Sequence, residues 1–229
     1  MKTIGMLGGM SWESSLEYYR LINKMVKEQL GGFHNAKSVM HTVDFAEIER
    51  YQREGNWEQA TRVLVEAAQS VERGGADLLI ICTNTMHKMA DDVQAAVSIP
   101  LLHIADATAE AIQAQGLKKV GLLATIYTME QDFYTGRLQQ HGLEVLIPNA
   151  EPRQEVNRII YEELCQGQIL ESSHHFYKQL IDDLTRRGAD GVILGCTEIG
   201  LLIKQGDVSV PLFDTASLHA AKAVQSALE

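Results

Sequence analysis

The sequence has 229 residues, of which 45% are apolar, enough to build one large core or two smaller ones. Its formal net charge is −10 and its lysines and arginines are scattered, which argues against a nucleic-acid partner. The sequence contains no apolar run of membrane-spanning length and no signal pattern at its start, so we expect a soluble, cytoplasmic protein with no membrane partner.

The first predicted elements are a strand over residues 3–7, a pair of glycines and a long helix. Ser11 suits the N-cap of that helix, and Gly8 and Gly9 allow a tight turn before it. Because N–H groups at such a turn can bind an anion, those near Met10 and Ser11 are candidate donors. The turn matches neither nucleotide-binding glycine pattern, so nucleotide binding is not predicted. Apolar residues at helical spacing are predicted to face inward: Leu16, Tyr19, Ile22, Met25, Val26 and Leu30.

Two further strands are predicted in the first half of the chain. One runs near residues 38–43 and leads into a polar segment, 44–53, whose charges are most simply solvated surface but which includes Gln52. After a helix over 57–73, residues 78–82 form a continuous apolar run. Such a run is typical of a parallel strand covered on both faces.

The second half repeats this alternation. A strand over 120–124 ends at Thr125, and Thr128 is predicted to cap a helix that starts near Met129. Two later helices have predicted inward faces formed by Val156, Ile159, Ile160 and Leu164, and by Phe176, Leu180, Ile181 and Leu184. A buried strand over 191–194 then leads into Gly195-Cys196-Thr197-Glu198 and another helix. Alternating strands and helices predict an α/β fold with parallel sheets.

Three segments of the first half recur, in the same order, in the second half. Residues 2–9 align with 118–125, residues 75–77 with 188–190, and residues 99–102 with 210–213. The spacing between partners changes little, so we interpret the chain as two halves of one ancestral fold.

The middle repeat aligns Thr83 with Cys196, and Cys82 with Gly195. Thr83 and Cys196 are therefore predicted at equivalent strand ends, the edge where open parallel sheets bind ligands. If the two halves face each other about a pseudo-twofold axis, the two side chains flank one cleft. Proton-carrying groups on opposite faces of a carbon are what inversion of a stereocentre requires.

The position of Cys196 at the end of a predicted strand suggests a reactive thiol. The three cysteines, Cys82, Cys165 and Cys196, are too few and odd in number for a disulfide framework. Cys196 lies between a strand end and a predicted helix start, where N–H groups and the helix dipole are expected to lower the pKa of its thiol. The alternative is that Cys196 is a small core residue, as many free cysteines are.

Three motifs make the sequence resemble the aspartate/glutamate racemase family over essentially its whole length. They are Met-Leu-Gly-Gly-Met-Ser at 6–11, Thr-Asn-Thr at 83–85 with His87, and Gly-Cys-Thr-Glu at 195–198. The resemblance, to the bacterial broad-specificity or L-aspartate/glutamate-specific branch, implies a cofactor-independent amino-acid racemase. It implies two pseudo-symmetric Rossmann-like domains with the active site in the cleft between them, a homodimer, and a C-terminal segment that completes the first domain. The predicted domains are 1–98 with 212–229, and 99–211.

The sequence departs from the family pattern at the first motif. Family members carry a cysteine directly before Asn-Thr, whereas this chain has Thr83 there and Cys82 one residue earlier. The repeat aligns Cys82 with Gly195, and neighbouring strand residues point to opposite faces, so Cys82 is predicted to lie in the core. Because a threonine hydroxyl is far less acidic than a thiol, we predict that Cys196 performs the demanding proton abstraction, with Thr83 opposite.

Several polar residues are candidates to hold the substrate. Donors to a carbanion-like transition state are the side chains of Asn84, Thr85, Thr125 and Thr197, with the N–H groups near Met10. The resemblance implies that Asn84, Thr85 and Thr197 contact the substrate and that Gln52 contacts its side chain. Glu198 is predicted either to bind the substrate ammonium or to cap its helix.

Other residue types are given simpler interpretations. Cys165 stands where aspartate-selective family members often place a lysine, which leaves room for glutamate or broader amino acids. His87 lies four residues after Thr83 and could orient the site, but His87, His103 and His219 are all interpreted as structural. No metal-binding cluster is predicted.

Two other functions stay open. A decarboxylase or cis–trans isomerase of a small dicarboxylate would use one or two cysteines at the same strand ends and would bind a substrate without an amino group. A non-catalytic amino-acid binding protein would fit the missing first cysteine and would bind without exchanging the α-proton.

Overall fold

The computed structural model describes all 229 residues and divides them into two units. The first unit comprises Met1–Ile104 with His219–Glu229, and the second comprises Ala105–Leu218. The chain therefore crosses between units after Ile104 and Leu218, not after residues 98 and 211. Residues 212–218 belong to the second unit because they begin with a strand that pairs in the second sheet.

The first unit is built on three parallel strands. Its strands are β1 (Ile4–Gly8), β2 (Ser38–Thr42) and β3 (Leu78–Ile81), in the order β2-β1-β3. Its helices are α1 (Trp12–Leu30), α2 (Phe45–Arg53), α3 (Trp57–Arg73), a 3₁₀ helix over Thr85–Met89, and α4 (Ala90–Ala95), and α5 (Ile104–Ala114) begins at its boundary. Every residue of β1 and β3 is buried. On one face of the sheet α3 lays Leu64, Ala67 and Val71 into the same core as Leu7 and Ile81.

The second unit is built on four parallel strands. These are β4 (Lys119–Ala124), β5 (Glu144–Leu146), β6 (Gly191–Gly195) and β7 (Leu212–Asp214), in the order β5-β4-β6-β7. Its helices are α6 (Ile126–Glu130), α7 (Asp132–Gln140), α8 (Ala150–Glu162), α9 (Glu171–Arg186) and α10 (Ile199–Leu202), with 3₁₀ helices over Leu164–Gln166 and Gln205–Asp207; α11 (Thr215–Leu228) ends the chain. The predicted α/β fold with parallel sheets is confirmed. No helix of the chain has the length and apolarity needed to cross a membrane.

Residues that the repeat aligns pair in the same register in the two sheets, which confirms the internal repeat. In the first unit Ile4 pairs with Leu78. In the second, their aligned partners Val120 and Gly191 pair with each other. The last repeated segment keeps its pairing as well, Leu79 with Leu101 and Val192 with Leu212. Because the register extends along the strands, the equivalence of Thr83 and Cys196 follows from backbone pairing as well as from sequence.

The start of α6 differs from the prediction. Thr125, and not Thr128, is the N-cap, because its Oγ1 accepts the backbone N–H of Thr128 at 3.4 Å. Thr125 has extended backbone angles directly after β4, so the helix begins at Ile126 and Thr128 lies inside it.

Two predicted helix faces are correct only in part. On α1, Ile22 and Val26 are buried as predicted, but Leu16 and Tyr19 are 56% and 50% exposed. The serine side of this helix turns inward instead, because Ser14 donates to the carbonyl of Cys82 and Ser15 accepts the N–H of Gly9. Leu30 is also exposed. On α9, Tyr177 is buried and Phe176 is only partly so.

Candidate active site

The end of β3 leaves one side chain partly exposed. All residues from 78 to 87 are buried except Thr83. The backbone N–H of Cys82 donates to the carbonyl of Leu7 at 2.9 Å, so pairing with β1 continues up to the residue before Thr83. Thr83 is therefore the first residue beyond the sheet at its carboxyl edge, where parallel sheets bind ligands.

Cys82 lies in the core, as predicted. Its side chain is 1% exposed, and burial raises the pKa of its thiol far above the usual range. The equivalent position in the second unit, Gly195, has no room for a side chain, since a Cβ there would lie 2.9 Å from the Cβ of Ala124. Because Cys82 is a buried neutral thiol, it does not replace the cysteine that the first motif lacks.

Serine hydroxyls tie the turn between β1 and α1 to this motif. The Oγ of Ser11 accepts the N–H of Ser14 at 3.2 Å, which confirms Ser11 as the N-cap. The Oγ of Ser14 donates to the carbonyl of Cys82 at 2.6 Å. Gly9 has φ +92°, and a Cβ there would lie 2.1 Å from the carbonyl oxygen of Val43, so only glycine fits this turn.

The remaining predicted contacts of the first unit are buried around the same strand end. Asn84 and Thr85 follow Thr83 directly, at 3% and 4% exposure. The amide Nε2 of Gln52 lies 3.9 Å from the Sδ of Met86, so α2 reaches the residue after Thr85. Met10 packs in the same core cluster as Met86. The first unit thus brings all its predicted site residues to one edge of its sheet.

The second motif has the same pattern of exposure. Within residues 191–200 only Cys196 is partly exposed, while Thr197 and Glu198 are buried. The thiol of Cys196 donates a hydrogen bond to Oε2 of Glu198 at 3.0 Å. Glu198 makes no side-chain capping bond to α10, so the predicted capping role is wrong.

The pKa of Cys196 is raised, contrary to the sequence prediction. Although Cys196 is partly exposed, desolvation by the buried residues around it raises the pKa of the thiol well above its usual value, and the neighbouring Glu198 carboxylate and Cys165 thiol raise it further. The backbone N–H of Glu198 acts in the opposite direction and is outweighed. The predicted helix-dipole effect is small because α10 is a single four-residue turn. Cys196 is therefore a protonated thiol with a carboxylate beside it.

Thr125 joins this site through strand pairing. Ala124 pairs with Gly195, so Thr125 and Cys196 are the next residues on adjacent strands. Thr125 is buried, and its Oγ1 lies 3.2 Å from the Oγ1 of Thr128 in addition to capping α6. The hydroxyl therefore has a structural role whether or not it contacts a ligand.

Two further residues lie near Cys196, and of these only Cys165 was singled out in the sequence, through the family's lysine position. Cys165, in the 3₁₀ helix after α8, lies near enough for its charge to raise the pKa of Cys196. Tyr177 of α9 is fully buried, and burial with the nearby charge of Cys196 raises the pKa of its phenol well above the usual value. Neither residue follows a strand, so the strand-end pattern gave no signal for them.

A hydroxyl and a thiol therefore lie at equivalent strand ends of two parallel α/β sheets, and both are groups that can carry a proton. The family model described as Asp/Glu/Hydantoin racemase matches residues 7–223. The chain therefore belongs to the Asp/Glu/hydantoin racemase family.

Individual relatives agree with this assignment. A Yersinia pestis protein solved as a candidate Asp/Glu racemase is 54% identical with a TM-score of 0.93, and each chain is covered in full. An aspartate racemase homologue from Pyrococcus horikoshii OT3 is 41% identical, again with full coverage of both chains, at a TM-score of 0.88. The broad specificity amino-acid racemase RacX of Bacillus subtilis (strain 168) is 24% identical over 98% of each chain.

Proposed function

We propose that this protein racemises aspartate and glutamate without a cofactor, with Cys196 and Thr83 acting from opposite sides of the substrate α-carbon. The observation that carries the proposal is the equivalence of these two residues. Each is the first residue past a paired strand end and the one partly exposed residue of a buried segment. The family supplies the reaction class, since inversion needs one proton carrier on each face.

Glu198 gives Cys196 a way to become a base. The carboxylate takes the thiol proton through the 3.0 Å hydrogen bond, and the resulting thiolate takes the α-proton of one enantiomer. Thr83 delivers a solvent proton to the opposite face of the carbanion, since its partial exposure lets it exchange with water. The surplus proton on Glu198 returns to solvent, so one proton enters and one leaves in each turnover.

The developing negative charge needs fixed donors. We assign this role to Asn84 and Thr85 beside Thr83, and to Thr125 and Thr197 beside Cys196, because all four are buried at the two strand ends. We also assign to the carboxylate of Glu198, which accepts from Cys196, the binding of the substrate ammonium.

Side-chain recognition falls to Gln52 in this proposal, while the backbone N–H near Met10 joins the donors to the developing negative charge. The amide of Gln52 reaches Met86 of the first motif, and Met10 packs in the core cluster that contains Met86. A neutral amide suits a carboxylate of either side-chain length, which agrees with the absence of a lysine at Cys165.

We further propose that the protein is a homodimer. Helix α1 exposes Trp12, Leu16 and Tyr19 by 64%, 56% and 50%, at a spacing that places them along one side of the helix. An exposed apolar stripe of this kind fits an isologous contact with a second copy. Light scattering of Leu16→Glu is expected to give monomers where the wild type gives dimers; a wild-type monomer contradicts this assignment.

The proposed activity is tested by α-proton exchange in D₂O. The full chain is offered L- and D-aspartate and L- and D-glutamate, with exchange followed by proton NMR and configuration by chiral chromatography. The wild type is expected to exchange and invert both amino acids, Cys196→Ala to do neither, and the control Cys82→Ala to do both. Tight binding without exchange would instead make the chain a binding protein. Turnover of a dicarboxylate that lacks an amino group would favour the decarboxylase or isomerase alternative.

A further inference from the structure

Two hydrogen bonds fix the imidazole of His87 in one tautomer. The backbone N–H of Ile104 donates to Nε2 at 3.3 Å, so that nitrogen carries the lone pair. The proton is therefore on Nδ1, which lies 2.8 Å from the carbonyl oxygen of Thr83 and donates to it. His87 is thus a neutral ring that satisfies the first N–H of α5 and, at the same time, holds the peptide of Thr83.

The same residue also holds the next carbonyl. The backbone N–H of His87 donates to the carbonyl of Asn84 at 3.0 Å. Since Ser14 bonds the carbonyl of Cys82, three consecutive carbonyls have fixed donors although Thr83 and Asn84 lie outside regular secondary structure. A peptide is planar, so fixing the carbonyl of Thr83 also fixes the N–H of Asn84 on the other side of the bond. His87 therefore sets the orientation of the proposed proton carrier and of its neighbouring donor.

The ring of His87 is itself held by a buried aromatic cluster. It packs edge-on against His103 and His219, with ring centroids 4.6 Å and 5.6 Å away. His219 Nε2 donates to the carbonyl of Leu102 at 2.8 Å, and Nδ1 accepts from the hydroxyl of Tyr18 at 2.9 Å. These four aromatic side chains are at most 6% exposed, so the ring cannot turn without repacking the core.

The second unit supports its strand end differently. The position equivalent to His87 is Gly200, where a Cβ would lie 2.9 Å from Oδ2 of Asp214. The carbonyl of Cys196 is bonded instead by the backbone N–H of Ile199 at 3.1 Å. The imidazole of His87 therefore orients Thr83 in the first unit, whereas the carboxylate of Glu198 controls the thiol proton of Cys196 in the second. This difference fits the chemistry, because a weakly acidic hydroxyl depends on accurate placement more than a thiol does.

We propose that His87 is a positioning residue, which orients Thr83 through its backbone so that the hydroxyl can deliver a proton to the substrate. This inference rests on the proposed racemase activity. In this proposal the hydrogen bond from His87 to Thr83 is the functional one. The hydrogen bond from Ile104 to His87 has a structural role.

Two substitutions separate those two bonds. His87→Asn keeps a donor at the position of Nδ1 and loses the acceptor for Ile104, while His87→Gln keeps an acceptor at the position of Nε2 and loses the donor to Thr83. Each variant is incubated with each enantiomer of aspartate and glutamate in D₂O, and the ratio of inversion to α-proton exchange is measured. Exchange with retention needs only Cys196, whereas inversion needs Thr83. Since both events are counted in one sample, a partly unfolded fraction cancels from the ratio.

We expect His87→Gln and His87→Ala to lower the ratio about tenfold, and His87→Asn to keep it close to the wild-type value. A ratio that is unchanged in all three variants, with exchange and inversion falling together, overturns the positioning role. A wild type that exchanges nothing contradicts the proposed function instead, so the two failures are distinguishable.

Discussion

The thiol of Cys196 donates to the carboxylate of Glu198, two residues further along the chain, over 3.0 Å. This contact reverses the sequence expectation for the thiol, whose pKa is raised by burial and by the carboxylate rather than lowered by a helix start. In the proposed reaction the carboxylate both keeps the proton on sulfur at rest and accepts it when the base is needed.

Glu198→Gln separates those two effects. The amide carries no charge, so the pKa of Cys196 is expected to fall. Because the amide cannot take up the thiol proton, kcat is expected to fall by about 10²-fold. The pKa is measured from the pH dependence of alkylation in a Cys165→Ser background, and kcat from the racemisation of aspartate.

The matched control is Glu162→Gln, which removes an exposed carboxylate of the same unit. It should leave both quantities unchanged. If Glu198→Gln instead raises kcat while lowering the pKa, the carboxylate opposes the reaction and has no role as a proton acceptor.

Cys82 should act on stability and not on turnover. In the folded state burial raises the pKa of its thiol, whereas the same thiol in the unfolded chain has a pKa of about 8.5. The folded protein therefore keeps the thiol proton to higher pH than the unfolded chain does. The contribution of Cys82 to the free energy of unfolding is complete below about pH 8.5 and falls by about 1.4 kcal/mol per pH unit above it. Cys82→Ala is expected to cost about 1–2 kcal/mol at neutral pH, with a deficit that shrinks in alkali.

Urea unfolding from about pH 7 to about pH 10 measures this change. Val93→Ala serves as the control, because Val93 is equally buried and does not titrate, so its deficit should stay constant with pH. A Cys82→Ala deficit that also stays constant, or a loss of turnover in folded protein, would show that Cys82 is not an inert core thiol.

Thr125 combines a helix cap with a proposed substrate contact. Thr125→Ala should lose about 1 kcal/mol of stability with the cap of α6. Thr125→Asn restores a capping side chain but not the hydroxyl, so we expect near wild-type stability with a raised KM. Thr125→Ser should keep both properties. Thermal unfolding and substrate titration measure the two effects, and an unchanged KM in Thr125→Asn would limit Thr125 to capping.

The sequence was sufficient for the fold because periodicity and repeats report backbone pairing. The alignment of residues 75–77 with 188–190, continued along the chain, correctly predicted that β3 and β6 are equivalent strands of the two sheets. The buried face of a helix was harder to predict, since serines that hydrogen-bond a neighbouring backbone look polar in a pattern. For that reason the predicted face of α1 is correct at Ile22 and Val26, whereas Leu16 is exposed where a buried side chain was expected.

From the residues alone, the candidate site was predictable where it follows strands, while Gln52 of α2 came from the family resemblance. Thr83 and Cys196 were proposed because the repeat marks them as equivalent strand ends. The direction of the Cys196 pKa shift was not predicted correctly, because it depends on how far the thiol is desolvated and on the orientation of the Glu198 carboxylate, which only the fold defines. Tyr177 and the two bonds of His87 arise from elements that pack against the motifs, and no local pattern encodes such contacts.

In the proposed reaction Cys196 and Thr83 serve opposite faces of one α-carbon. Racemisation has an equilibrium constant of one, so kcat/KM is equal in both directions and asymmetry can appear only in kcat and KM separately. Rates alone therefore distinguish the roles of Cys196 and Thr83 poorly. Whether each α-proton exchange retains or inverts the configuration distinguishes them better.

The most direct measurement is the outcome of each exchange event in D₂O for Thr83→Ala, with wild type and Thr83→Cys alongside. We predict that Thr83→Ala exchanges the α-proton of one enantiomer with retention of configuration and does not exchange the other. Thr83→Cys is predicted to exchange and invert both, with altered kcat for the two enantiomers. Inversion by Thr83→Ala at the wild-type rate, or Thr83→Cys kinetics identical to the wild type for both enantiomers, would contradict the assignment of Thr83 as the second proton carrier.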